Sequence, residues 1–129
     1  MLQQDTIKVL IVDDSEIIVS RIRNLLSELE NINVVGDAIN YNDAMNIIRQ
    51  KTPDVVLLDI DLPGKSGIDI LKEIKQNHPV IKVIMLTNNS GPYYRTICEK
   101  AGTDYFFDKS SEFQKVPEVL ISLARAETK

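Results

Sequence analysis

Four apolar residues in a row, Val55-Val56-Leu57-Leu58, end on Asp59, and Pro63-Gly64 turns the chain away soon after. The run is too short for a helix and shows no alternation. A short apolar run with β-branched members predicts a strand buried on both faces of a sheet. Asp59 then stands at the carboxyl end of that strand, which is where open α/β sheets place their ligands. A carboxylate that merely caps a loop is the plain alternative, and the rest of the chain decides between the two.

The same unit recurs along the sequence. Ile7 to Val12 predicts the first strand and runs into Asp13-Asp14-Ser15. A helix from about Ser15 to Leu29 follows, with Ile18, Ile22, Leu25, Leu26 and Leu29 forming one stripe and Asp14 or Ser15 as its cap. Asn33 to Ile39 reads as a weaker strand at a sheet edge, and Asn42 caps a helix reaching Gln50. Ser66 caps a helix from Gly67 to about Asn77. Val80 to Leu86 predicts the fourth strand, which leads into the polar loop Thr87 to Gly91. Pro92 opens a shorter helix that Gly102 ends. Thr103 to Phe107 is the fifth strand, and a last helix lies near Phe113 to Ala126. Pro117 leaves its first turn irregular, and the tail from Glu127 to Lys129 frays. Strand and helix therefore alternate throughout, which predicts an α/β fold: a doubly wound five-stranded parallel sheet with helices on both faces. The expected strand order is 2-1-3-4-5, the flavodoxin-like arrangement.

Whole-chain properties narrow the function. The 129 residues suit one domain over 1–129 with its core at about 6–126. A net charge of -4 and the lack of a basic patch argue against direct nucleic-acid binding. No apolar run approaches the roughly 20 residues that span a membrane, and the start from Met1 to Thr6 has no apolar leader. Cys98 is the single cysteine, so no internal disulfide forms. These features together suggest a cytoplasmic protein.

Four of the five strands deliver polar groups to one rim: Asp13 and Asp14, then Asp59, then Thr87, then Lys109. Clustered carboxylates repel one another and resist ionisation. A hard divalent cation relieves that cost. Mg2+, or Mn2+ in its place, takes oxygen ligands and keeps several waters, and no His or Cys lies in these loops to suit zinc. The Thr87 hydroxyl and the Lys109 ammonium add donors that a phosphoryl group would need. Asp59 ends the central strand alone and suits a nucleophile that becomes an acyl phosphate, whereas Asp13 and Asp14 read as metal holders.

These residues resemble the receiver domain of bacterial two-component response regulators, of the chemotaxis-regulator type, from Ile7 to about Ala124. The resemblance implies transfer of a phosphoryl group from a sensor histidine kinase or phosphotransfer protein to Asp59. It implies a domain that catalyses its own Mg2+-dependent phosphorylation and dephosphorylation rather than a conventional enzyme. Asp14 would be a direct metal ligand, Asp13 would act mostly through water, and the backbone carbonyl of Asp61 would be a third protein ligand. Thr87 and Phe106 would form the switch. The partner-facing surface would be the fourth helix, fifth strand and fifth helix, through which a homodimer could also form. The target is either a downstream protein or, if the chain is truncated, its own C-terminal output domain.

The chain departs from the family pattern at three positions. Ser110 follows the lysine where proline is common, so the Lys109–Ser110 peptide is expected to be trans. Asn88 follows Thr87 where a small side chain is usual, and its bulk is expected to restrict access to the phosphoryl pocket. Phe106 replaces tyrosine and carries no hydroxyl.

Other residues have plainer readings. His78 is expected to cap a helix end, Cys98 to be a small buried hydrophobe, and Lys72, Glu73 and Lys75 to form a solvated helix face. Tyr93 and Tyr94 either pack or meet a partner. Two rivals stand beside the receiver: a phosphatase using Asp61 as a second acid, and a receiver reduced to protein binding.

Overall fold

The structure is a computed structural model and describes residues 6–127. In chain order its elements are β1 (Ile7–Val12), α1 (Glu16–Ser27), β2 (Ile32–Ala38), α2 (Tyr41–Lys51), β3 (Val55–Leu58), α3 (Gly67–Asn77), β4 (Lys82–Thr87), α4 (Pro92–Lys100), β5 (Tyr105–Asp108) and α5 (Lys115–Glu127). The strands form one parallel sheet, as the alternation predicted, and their order is the expected β2-β1-β3-β4-β5. β2 is an edge strand, and its pairing with β1 slips between Val9 and Leu10.

Each central strand sends alternate residues to opposite faces. Leu10, Val12, Val56 and Leu58 join Ala44, Ile48, Ile70, Ile74 and Cys98 in a cluster under α2, α3 and α4. Val9, Ile11, Val55 and Leu57 join Ile22, Leu26 and Leu120 in a second cluster under α1 and α5. β3 is buried along its whole length because both of its faces are covered. Each fully buried aliphatic side chain contributes about 1.5–3 kcal/mol.

Local chemistry starts the helices. The Ser15 hydroxyl accepts from the Ile18 amide and caps α1. Ser66 and Asp69 form a reciprocal capping box at α3. α2 corrects the sequence reading: its cap is Asn40, whose side-chain oxygen accepts from the Asp43 amide at 2.9 Å. Asn40 is extended, as a cap must be, whereas Asn42 already lies inside the first turn.

Strand ends also shift. The Ile81 amide donates to the His78 carbonyl, and this turn leaves Val80 outside the sheet and 86% exposed. β4 therefore starts at Lys82 rather than Val80. β5 starts at Tyr105, because the Asp104 carboxylate accepts from the Val83 amide ahead of the strand.

Lys75 is not a solvated residue. Its ammonium donates to the Ile81 carbonyl at 2.9 Å and to Asp104 at 2.7 Å, anchoring α3 to the loops around β4 and β5. Glu73 accepts from Tyr41 and Asn77, and of the three only Lys72 is exposed. His78 does end α3, and Cys98 is fully buried. α5 begins at Lys115 after an irregular turn, with Pro117 in its first turn. The expected frayed tail falls outside the described residues except for Glu127, and the start from Met1 is described only at Thr6. Among the described residues, no helix is long and apolar enough to cross a membrane.

Candidate phosphoacceptor site

Sheet register builds the site. Val12 pairs with Leu58, and the Asp59 amide donates to the Val12 carbonyl at 3.0 Å, so Asp13 and Asp59 leave neighbouring strands at the same level. On the other side Thr87 pairs with Asp108, and the Lys109 amide donates to the Thr87 carbonyl at 2.9 Å. The polar ends of β1, β3, β4 and β5 thereby share one rim.

At its centre Lys109 Nζ lies 2.8 Å from Asp59 Oδ2 and 2.8 Å from Asp13 Oδ2. All three side chains are buried. Asp14 is exposed, yet ligand oxygens from Asp13, Asp14 and Asp59 lie within 4.8 Å of one another. Burial pushes the Asp13 carboxyl above its ordinary value, although Lys109 and the Ser15 amide pull the other way. Burial alone would lower Lys109, but hydrogen bonds and charge from Asp13 and Asp59 outweigh it and hold the ammonium above its ordinary value.

One ammonium against three carboxylates leaves surplus negative charge on an all-oxygen rim that Asp14 opens to water. That donor set fits a hard divalent cation that retains part of its hydration, so the cluster is able to chelate such a metal.

The other residues singled out from the sequence fall around this centre. Thr87 is fully buried, and its hydroxyl oxygen accepts from the Asn89 amide at 3.1 Å. The Asp61 amide donates to Asp59 Oδ1 at 3.3 Å, which places its backbone beside the candidate nucleophile. The Asp61 carboxylate is exposed, and both of its oxygens accept from Asn89 Nδ2 at 2.7 Å. Phe106 is buried in the α4-side core. Arg95 stacks on its ring at 4.6 Å and donates to its carbonyl at 3.4 Å. No cis peptide occurs among the described residues, so the Lys109–Ser110 bond is trans. Asn88 is exposed and accepts from the Ser110 hydroxyl at 3.2 Å, so two of the three departures from the family pattern pair with each other. Tyr93 is exposed and packs edge-on against Tyr94.

Sequence reasoning missed Asn89, Ser90, Asp108 and Arg95. The Ser90 hydroxyl donates to Asp108, whose carboxylate also accepts from the Ser110 and Ser111 amides. Only the polar loop containing Ser90 was visible in the sequence, and nothing there marked its partners.

Comparison with known proteins agrees with this geometry. The response regulator receiver domain family matches residues 9–121. The response regulator GacA of Pseudomonas aeruginosa is 30% identical over 114 residues, covering 88% of this chain and 53% of that protein. A protein-glutamate methylesterase/protein-glutamine glutaminase of Clostridium acetobutylicum is 35% identical over 126 residues, covering 94% of this chain and 36% of that protein. The non-phosphorylated receiver domain of the stress response regulator RcsB from Escherichia coli superposes with a TM-score of 0.86 at 26% identity, covering 95% of this chain and 96% of that one. The chain thus spans about half the length of the first of these curated relatives and about a third of the second.

Proposed function

This chain belongs to the response regulator receiver domain family, and on that footing we propose that Asp59 accepts a phosphoryl group in a two-component relay. The observation that carries the reading is the bridge of Lys109 between Asp59 and Asp13 beside exposed Asp14. A nucleophile, a fixed cation and a cation-binding rim occupy one strand-end cleft.

An Asp59 carboxylate oxygen attacks phosphorus, forming a P–O bond as the P–N bond of a phosphohistidine breaks and the imidazole leaves with its electron pair. Attack by water on phosphorus then breaks the Asp59 O–P bond, releasing inorganic phosphate and restoring the carboxylate. Lys109 remains an ammonium and redirects its hydrogen bonds from Asp13 and Asp59 to the phosphoryl oxygens, where the new charge lies. The Thr87 hydroxyl oxygen accepts from the Asn89 amide, which leaves its hydrogen to be donated to a phosphoryl oxygen. Asp14, Asp13, Asp59 and the Asp61 carbonyl would hold Mg2+ or Mn2+. When bound, that cation supplies charge neutralisation for the incoming phosphoryl group.

Donation by Thr87 would shift the loop that leads into α4 and bias Phe106, which is already buried here. Asn88 would limit access by small donors and water. The donor is a sensor kinase or phosphotransfer protein. The target is a downstream protein or an output domain of the same polypeptide, met through α4, β5 and α5. A homodimer through that face is part of the same reading. A hydrolase would need Asp61 as a free acid, whereas Asn89 occupies both of its carboxylate oxygens.

Intact-protein mass spectrometry after incubation with acetyl phosphate tests the reading. Wild type should gain the mass of one phosphoryl group with Mg2+ and none with chelator, and Asp59→Asn should gain none. A wild type that stays unlabelled with Mg2+ overturns the proposal.

A further inference from the structure

Thr87 and Lys109 are the two side-chain donors assigned to the phosphoryl group, yet they sit on different loops. The loop after β4 has little of its own to hold it. Its last residue, Gly91, caps α4 without a side chain. It is tied instead from outside. The Ser90 hydroxyl donates to Asp108, and Asn88 accepts from the Ser110 hydroxyl. Asp108 directly precedes Lys109 and also accepts from the amides of Ser110 and Ser111 at 2.8 Å each. One carboxylate therefore gathers a hydroxyl from the Thr87 loop and two amides from the Lys109 loop.

The connections continue to the aromatic switch position. The Asp108 amide donates to Glu112 Oε1 at 2.9 Å, and the same carboxylate lies 4.0 Å from the Arg95 guanidinium. Arg95 in turn covers the Phe106 ring. A chain of polar contacts thus runs from Ser90 through Asp108 and Glu112 to Arg95 and Phe106.

We propose that Asp108 is a positioning residue that locks the Thr87 loop to the Lys109 loop, so that the two phosphoryl-binding donors move as one unit. The proposal rests on the phosphoacceptor reading for its consequence, but the lock itself is a property of the resting protein. Without it, only the Lys109–Thr87 backbone bond and the exposed Asn88–Ser110 contact would join the two loops, and residues 88–91 could shift while the Lys109 loop stayed in place. With it, the motion of either loop carries the other. A coupled pair gives a sharper two-state response than two separate donors, because an intermediate arrangement would break the Ser90–Asp108 bond. The Glu112–Arg95 branch extends the same unit to Phe106.

NMR relaxation dispersion on unphosphorylated wild type, Ser90→Ala and Asp108→Asn tests the lock. In wild type the amides of residues 88–91 and 109–111 should share one exchange rate. In both variants the two groups should separate into different rates. Ser90→Ala removes a single side-chain bond and keeps the amide contacts of Asp108, so the test survives if Asp108→Asn fails to fold. A general loss of stability would alter both groups together and would not separate them. Unequal rates in wild type, or a shared rate preserved in Ser90→Ala, overturn the proposal. The second readout is labelling by acetyl phosphate, which should slow several-fold in Ser90→Ala with Mg2+ affinity unchanged. An unaltered labelling rate overturns the functional consequence. A wild type with coupled loops that never accepts phosphoryl contradicts the proposed function and leaves the lock standing.

Discussion

Gly67 lies so close to Asp59 that a Cβ on it would meet the Asp59 carbonyl oxygen at 1.9 Å. The Gly67 amide also donates to the Ile60 carbonyl at 2.9 Å. The first residue of α3 is therefore a spacer that lets the helix start directly against the backbone of the acceptor loop. Gly67→Ala should destabilise the protein by about 3 kcal/mol, the upper end for overpacking, because backbone rather than a flexible side chain must yield. Urea unfolding measures this, and a loss below about 0.5 kcal/mol, the usual range for surface changes, would show that the contact relaxes freely.

Lys109 bridges two buried carboxylates and offsets part of their charge. Lys109→Met should cost about 3 kcal/mol at neutral pH, the lower end for breaking a buried pair, because the rim is open to water on the Asp14 side. Its folded-state value is raised, so this contribution is complete below the ordinary lysine value of 10.5 and fades as pH rises through the folded value. Added Mg2+ should recover part of the loss in the variant. Equal denaturation midpoints for wild type and variant at pH 7 without metal would contradict the role.

Divalent cation should stabilise the native state by mass action, by about 2.7 kcal/mol at a free concentration 100-fold above Kd. Asp14→Ala should lose most of this gain, since Asp14 is the exposed member of the cluster. Thermal melts with and without Mg2+ measure it, and an undiminished shift in the variant would place the ion elsewhere.

The strand-end acids were legible because each apolar run stops abruptly on a polar residue, and parallel pairing then brings those ends together whatever the loops do. Side-chain partners between loops were not legible. Ser90 and Asp108 are 18 residues apart and meet only because Thr87 and Asp108 pair in register. Lys75 looked solvated because helical spacing alone places it among charged residues, and its partner Asp104 arrives from another connection. Asn40 and Asn42 are equivalent caps by composition, and only the extended backbone at Asn40 separates them.

The Asp108 carboxyl is held at about 2 against an ordinary 3.8, chiefly by the Ser90 hydroxyl and then by the Ser111 and Ser110 amides. A lowered value means stability that is present above 3.8 and lost as pH falls through about 2. The stability gap between wild type and Asp108→Asn should therefore be constant near neutrality and close across that acidic window. Denaturant titrations over a pH series check this, and a gap that persists unchanged to the acid end would rule out the carboxylate as its source.

Borohydride reduction of the protein labelled by acetyl phosphate and Mg2+, followed by peptide mass spectrometry, tests the acceptor most directly. Reduction converts an aspartyl phosphate to homoserine and so marks the residue that carried it. The mark should fall on Asp59 alone. Homoserine at Asp13, Asp14 or Asp61, or equal labelling of Asp59→Asn, would contradict Asp59 as the phosphoacceptor.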